Sequence, residues 1–348
     1  MGIAAMAALT LVSCSSDDLN SLSDNSSKHE AISFDGYLGR SAVAVNGSRG
    51  SVLDKDALQK STEGFGVFGN YSKDSEGTTH AYGKNWFDNQ KVTFTSGAWT
   101  YEPLKYWLPE GHIDFLAYAP YDAKNTAITD FKSKIDFTVD KEIAKQKDLL
   151  WANVEQQTKT DKPVTFNFKH ALAKIGYTVK TNVVGKGTTI TLNKITLGGT
   201  EDGTSDAPFY TSGTIDLSKA NDASDLWTNQ TGKQKFTWFD GTKLLTSTSA
   251  FNNSNISGNP ANSDENYLFV IPQDFTGADK LYVVVEYTIT YNTGVEATMK
   301  STVSSQIKKK FEQGKAYMIN LTVGLTPIQF DAEVADWGNI DDNPITWN

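Results

Sequence analysis

Leu281-Tyr-Val-Val-Val-Glu-Tyr-Thr-Ile-Thr-Tyr291 decides the fold. Leu281, Val283, Val285, Tyr287, Ile289 and Tyr291 fall on one side of an extended chain, with Glu286, Thr288 and Thr290 on the other. Side chains of a strand alternate with period two, so one face is built for a core and the other for water. Tyr317, Ile319, Leu321, Val323 and Leu325 repeat the pattern, with Asn320 and Thr322 opposite. Upstream, Val92-Thr-Phe94-Thr and Ala98-Trp99-Thr-Tyr101 flank Ser96-Gly97, a hairpin signal. Ile113, Phe115 and Ala117 alternate, as do Ile135, Phe137 and Val139, then Val164, Phe166 and Phe168, then Ile175, Tyr177 and Val179. Only Asp54–Lys60 and Asp140–Lys147 have helical spacing, and both are short. Half-polar strands at this density predict an all-β protein made of antiparallel sandwiches.

Composition agrees. The chain has 348 residues, 39% hydrophobic and 21% charged, which is room for two domains with real cores. Its 18 Phe, 14 Tyr and 8 Trp suit pleated surfaces, and its Gly, Asn and Asp supply turns. The formal charge of −9 repels phosphate backbones, so no nucleic-acid partner is expected. The polar run Gln156-Gln-Thr-Lys-Thr-Asp-Lys-Pro163 marks an expected domain boundary, with one sandwich over 31–158 and another over 159–348. There is no repeat of fixed period.

The single cysteine is Cys14. Gly2–Val12 is an apolar stretch of signal-peptide length, and Leu11-Val12-Ser13-Cys14 closes it as a bacterial lipobox does. In that chemistry the thiol accepts a diacylglycerol and the peptidase then cuts just before the modified cysteine, at which the signal segment 1–14 ends. No Lys or Arg precedes the stretch, a departure from the usual charged start. Residues 15–30, rich in Ser, Asp and Asn, read as a tether. One cysteine allows neither a disulfide framework nor a thiolate cluster for metal.

No pattern announces catalysis. Gly64-Phe-Gly66-Val-Phe-Gly69 matches the dinucleotide fingerprint in letters, but no buried strand precedes it and no helix opens after it. His29, His80, His112 and His170 stand far apart, outside any ligand spacing, and there is no nucleophile elbow. Asp331, Glu333, Asp336, Asp341 and Asp342 lack the spacing of a calcium loop. No cofactor, metal site or enzymatic activity is expected. Arginine usage is unusual: Arg40 and Arg49 are the only two, and both precede the first confident core strand. Arg49 lies in Asn46-Gly-Ser-Arg49-Gly50-Ser51, a small, polar segment of the kind proteases nick.

Taken in order, several stretches resemble the fimbrillin family, the Mfa-like type V pilins of Gram-negative anaerobes. They are the lipobox, the Arg-bearing segment before Gly64-Phe-Gly-Val-Phe68, Tyr106-Trp107 through Phe115-Leu-Ala-Tyr-Ala-Pro120, and Lys147-Asp-Leu-Leu-Trp-Ala152. Val164-Thr-Phe-Asn-Phe-Lys-His-Ala-Leu-Ala-Lys-Ile175 and Val334-Ala-Asp-Trp337 complete the set. The resemblance implies two tandem transthyretin-like sandwiches and export as an outer-membrane lipoprotein anchored through Cys14. It also implies removal of an N-terminal strand by an Arg-specific protease and filling of the vacated groove by a strand of the next subunit. Arg49-Gly50 aligns best with the family's cleavage position and Arg40 is second. The donor is expected in 327–348, where Ile328, Phe330, Ala332 and Val334 alternate with polar residues after Pro327; the same alternation also suits a strand that closes its own sandwich.

The implied partners are copies of the chain or other fimbrial subunits, the protease, and the outer membrane. Stalk, anchor and tip members share these sandwiches, so the place in the filament stays open. A second reading is a surface lipoprotein or tip adhesin that holds a glycan or other host or bacterial surface ligand on Trp86, Trp99 or Trp238. Cys14→Ala is expected to abolish labelling by a palmitate analogue and to leave unprocessed precursor. Unchanged labelling would exclude Cys14 as the lipid site.

Overall fold

The computed structural model describes residues 31–38, 53, 55–73, 85–125, 133–183, 185, 187–219, 225–252, 267–292, 294, 296–325 and 329–336. The chain runs through β1 (Phe34–Leu38), α1 (Lys55–Lys60), β2 (Phe65–Ser72), β3 (Asn85–Thr95), β4 (Ala98–Thr100), β5 (His112–Ala119), β6 (Lys134–Thr138), β7 (Leu150–Gln157) and β8 (Val164–His170). It continues through β9 (Ala173–Thr181), β10 (Thr188–Gly198), β11 (Phe209–Asp216), β12 (Trp227–Gln234), β13 (Phe236–Leu244) and β14 (Phe251–Asn252). The last elements are β15 (Leu268–Val270), β16 (Gln273–Asp274), β17 (Tyr282–Asn292), β18 (Glu296–Gln306), β19 (Lys310–Phe311), β20 (Lys315–Val323) and β21 (Gln329–Asp336). The fold is almost all β, as the alternation predicts.

Seven strands form one sheet in the order β1-β8-β7-β5-β2-β3-β4. Ser96 and Gly97 take φ of 54° and 88°, so β3 and β4 close as the expected tight hairpin. The sheet curls until Gly36 on one edge faces Trp99 on the other, nearly closing a barrel. Inside lie Phe65, Phe87, Phe115, Phe166, Phe168 and Trp99. The outer face of the same middle strands carries Phe68, Leu116, Tyr118 and Trp151, which share a second core with Ile135, Ile215 and Leu226. Those three belong to or flank a small sheet in the order β12-β11-β6. With a core on each side, β5 is buried at every residue. That is why its sequence is nearly continuous in apolar residues.

The remaining large core lies between two facing sheets, β13-β10-β17-β18 and β14-β9-β20-β21, with β15 beside β9. Ile175, Tyr177, Val179, Ile319 and Leu321 meet Ile190, Leu192, Val283, Val285 and Ile289 there. The Tyr177 and Trp238 rings lie 4.9 Å apart across it.

Three sequence features take their meaning from this packing. The run 156–163 begins as the last two residues of β7 and continues as an exposed loop over 158–163, with Lys159 and Lys162 on it, between neighbouring strands of one sheet. β8 therefore turns back on β7, pairing Leu150 with His170, instead of opening a new body. Asp140–Lys147 forms only a short 3-10 turn at Ile143–Lys145. At its start Asp140 Oδ1 accepts from the Glu142 N–H two residues on at 2.8 Å, and at its end Gln146 Oε1 accepts from the distant Phe269 N–H at 2.8 Å. The glycine fingerprint lies on strand β2, where a Cβ on Gly66 would stand 2.5 Å from Tyr118 Cε1. That glycine is there so that Tyr118 can lie across the strand. Gly66→Ala is expected to cost roughly 1–3 kcal/mol by overpacking. Leu244→Ser, at a side chain 56% exposed, should stay within about 0.5 kcal/mol. Urea melts of the two variants make the comparison.

Candidate functional site

β1 is an edge strand with one neighbour. It runs parallel to β8, with Phe34 beside Val164 and Leu38 beside Phe168. Ile32, Phe34 and Gly36 point inward and are buried, while Ala31, Ser33 and Asp35 are exposed. Backbone bonds hold its start: the Ile32 N–H donates to the Lys105 carbonyl at 2.8 Å, and the Val164 N–H to the Ser33 carbonyl at 2.8 Å. The Tyr101 O–H donates to the Ile32 carbonyl at 2.7 Å. Burial pushes that phenol up to about 12, so it remains a donor throughout the physiological range.

The seat for β1 is aromatic. The Phe34 ring lies 5.4 Å from Phe87, 5.4 Å from Tyr101, 5.5 Å from Phe115 and 5.6 Å from Phe166, centroid to centroid. The contacts with Phe87 and Phe115 are edge-to-face at 73° and 81°, the geometry favoured by ring quadrupoles. Lys105 closes one end, its ammonium 5.0 Å from the Phe87 ring and bonded to the Trp86 carbonyl; burial lowers its pKa.

The chain leaves β1 beside Phe168 and returns at Leu53, whose N–H donates to Asp148 Oδ2 at 3.1 Å. The same oxygen is 2.8 Å from His170 Nδ1, at the end of β8. The segment between, with both arginines, thus starts and finishes at one end of β8. Asp148 is fully buried, and it fixes the chain on the downstream side of that segment.

Of the residues singled out from the sequence, Cys14, His29, Arg40, Arg49, Gly50, His80, Asp341 and Asp342 lie outside the described residues. Phe330, Ala332 and Val334 lie on β21, which runs antiparallel beside β20 of its own sheet, opposite Leu321, Ile319 and Tyr317. Val334 is half-buried against the core there. Trp99 and Trp238 are only 9% and 5% exposed and are core side chains, while Trp86 is half-buried at the edge of the first core. His112 is buried 3.8 Å from Asp114. Among the described residues no three His, Cys, Asp or Glu side chains gather as a metal site, and no helix is long and apolar enough to cross a membrane. Sequence reasoning missed Tyr101 and Asp148 as parts of the site. The one signal for Asp148 is its position as the acid directly before the apolar run Leu149-Leu-Trp-Ala152.

Comparison with known proteins places this geometry. The model of the Fimbrillin-like family matches residues 52–337. Fimbrium subunit Fim1C of Phocaeicola vulgatus is 33% identical over 131 residues, which span 36% of this chain and 32% of that protein's length. A fimbrial protein of Bacteroides vulgatus has a similar fold, with a TM-score of 0.66 at 21% identity over 88% of this chain and 99% of that one. A candidate cell-adhesion protein of Bacteroides ovatus gives a TM-score of 0.52 at 16% identity over 89% and 98% of the two chains. The family match runs from the Leu53 anchor at Asp148 to the end of β21, and so this chain belongs to the fimbrillin-like family, whose members are lipid-anchored, surface-exposed outer-membrane components of fimbriae.

Proposed function

We propose that the chain is a non-enzymatic structural subunit of a type V fimbria that polymerises by strand exchange and supports adhesion. It is exported as a lipoprotein on Cys14 and cut after Arg49 by an Arg-specific surface protease, with Gly50 as the new N-terminus. Cleavage there frees residues 14–49, β1 among them. The observation that carries this reading is the position of β1. One parallel neighbour, the backbone bond of Ile32 to Lys105 and a row of side chains hold it, and both arginines lie between it and the Leu53 bond to Asp148. A cut in that interval leaves the body anchored and lets the strand go. An empty seat presents unpaired backbone and apolar side chains, which another extended segment satisfies.

The body is two tandem transthyretin-like sandwiches. Because β8 pairs within the first sheet, the passage between them lies at Ala171-Leu172, not at the polar run 156–163. The incoming strand comes from residues 327–348 of another copy or of another fimbrial subunit, with Phe330, Ala332 and Val334 facing the groove. Adhesion on Trp99 or Trp238 is not part of this reading, since both are buried.

Incubation of purified chain with an Arg-specific protease should give a ladder on a non-denaturing gel and a product beginning at Gly50. Arg49→Ala should abolish both, and Arg40→Ala should leave both intact. A ladder formed equally by the Arg49→Ala chain would exclude Arg49 as the maturation point.

A further inference from the structure

A crevice of about 490 Å³ opens between the small sheet β12-β11-β6 and the paired strands β16 and β19. That volume is within the range of small-molecule sites, roughly 300–1,000 Å³. No residue of β1, β3, β5 or β8 lines it, so it is separate from the β1 seat.

One wall is made by an irregularity in β12. Against β11, Thr228 pairs with Thr214 and Thr231 with Ser212, so β12 carries one residue more than its partner. Asn229 absorbs it at φ 50°, in the left-handed region that asparagine tolerates better than most residues. The bulge brings Gln230 to the same side as Trp227. Both lie over Gly213, where a Cβ would stand 2.9 Å from Trp227 Cε3 and 3.5 Å from Gln230 Cγ. The Trp227 ring N–H is spent on the Ala171 carbonyl at 2.8 Å. What the half-buried indole gives to the crevice is therefore hydrocarbon. Tyr210 of β11 adds a second ring to the lining.

The rest of the lining is polar and already set. Gln273 is buried, and its amide donates to the Pro208 carbonyl at 2.9 Å and to Asp279 Oδ2 at 3.2 Å, and accepts from the Tyr210 N–H at 3.3 Å. Gln230 Nε2 donates across the crevice to the Pro272 carbonyl at 3.1 Å, which leaves its Oε1 as an acceptor. Charges are matched within the protein: Asp279 lies 3.3 Å from the Lys233 ammonium, Asp225 2.8 Å from Lys219, and Glu312 3.6 Å from Lys310. Carboxylates so paired keep lone pairs for hydroxyl donors, gain little from a second cation and repel an anion.

We propose that this crevice binds a neutral pyranose unit of an oligosaccharide. Its C–H face lies on the Trp227 and Tyr210 rings, and its hydroxyls donate to Gln230 Oε1 and the Asp279 carboxylate. The hydrocarbon of the rings calls for an apolar surface, and the acceptors around it call for several O–H donors in one small uncharged molecule. A pyranose has both, with C–H bonds on its face and hydroxyls around its edge. A wholly apolar ligand would strip water from the carboxylates and amides and replace none of its hydrogen bonds. The inference goes beyond strand exchange and does not rest on it, since the crevice is built only from residues after Tyr210 and that tyrosine itself.

Saturation-transfer NMR on the uncleaved chain tests this with the methyl glycosides of glucose, galactose, mannose and N-acetylglucosamine, and with N-acetylneuraminic acid as the anionic control. At least one neutral glycoside should show transfer, strongest at the C–H protons of one ring face, and the acid should show none. Trp227→Ala should weaken that binding by about tenfold or more. Gln230→Leu, which keeps the bulk of the side chain, should weaken it by about threefold or more. Lys308→Ala, at an exposed lysine outside the crevice, should leave it unchanged. Near-UV circular dichroism checks that the variants fold, and Gln230→Leu carries the test if Trp227→Ala does not. No transfer to any of the four glycosides, binding that Gln230→Leu leaves unchanged, or stronger transfer to N-acetylneuraminic acid overturns the proposal, and each leaves strand exchange standing. Failure of the protease ladder, in turn, leaves this site standing.

Discussion

The first core is completed by a ring carried on a strand with one neighbour. Phe34 touches four aromatic side chains from β3, β5, β8 and the Tyr101 turn, so it sits at the centre of that core and not on its rim. Burying a phenyl group contributes roughly 1.5–3 kcal/mol, and each well-placed ring pair adds about 0.5–1.5 kcal/mol. The backbone bonds of one parallel ladder add a modest net term each. The strand is thus held firmly, yet by contacts that a second segment of like shape can reproduce. The curl of the sheet follows from the same demand, since only a small residue at Gly36 lets the two edges meet at Trp99.

The strands were legible because their cores are one-sided. β17 and β20 each bury alternate residues, and their boundaries in the structure fall within two residues of the apolar run. β5 was harder in kind: buried on both faces, it has no clean alternation, and only its neighbours reveal why Asp114 and His112 sit inside. At the polar run 156–163 composition does not discriminate, because a surface loop and an interdomain linker look alike; that β8 pairs with β7 across it is a long-range fact. The helical spacing of Asp140–Lys147 lost to a local turn in which Asp140 caps the Glu142 N–H, and to a tertiary contact of Gln146 with Phe269 at the other end. The site was legible in parts. Arginine placement pointed to the segment after β1, and alternation pointed to residues 328–334, but nothing local says that β1 lies parallel to β8 or that Tyr101 and Asp148 serve it.

Asp148 is buried with its two oxygens unequally engaged: Oδ2 meets both the Leu53 N–H and the His170 ring, and Oδ1 has no hydrogen-bond partner. Three parts of the chain, distant in sequence, are joined at one atom: the return from the arginine-bearing segment, the start of the run leading into β7, and the end of β8. The arrangement separates what is fixed from what can be released. Upstream of Arg49 the strand is held by one parallel ladder and by side-chain fit, and downstream the chain is tied to the body through the Leu53 N–H on Asp148.

The loop between β7 and β8 is exposed and carries Lys159 and Lys162, and every basic residue after Arg49 is likewise lysine. Exposed loops are where folded proteins are nicked, and an enzyme that demands a guanidinium finds none there. From Leu53 onward the chain therefore offers no guanidinium to an Arg-specific enzyme, whatever the exposure of its loops. A single lysine-to-arginine change on the β7–β8 loop would create such a target on the surface of the first sheet.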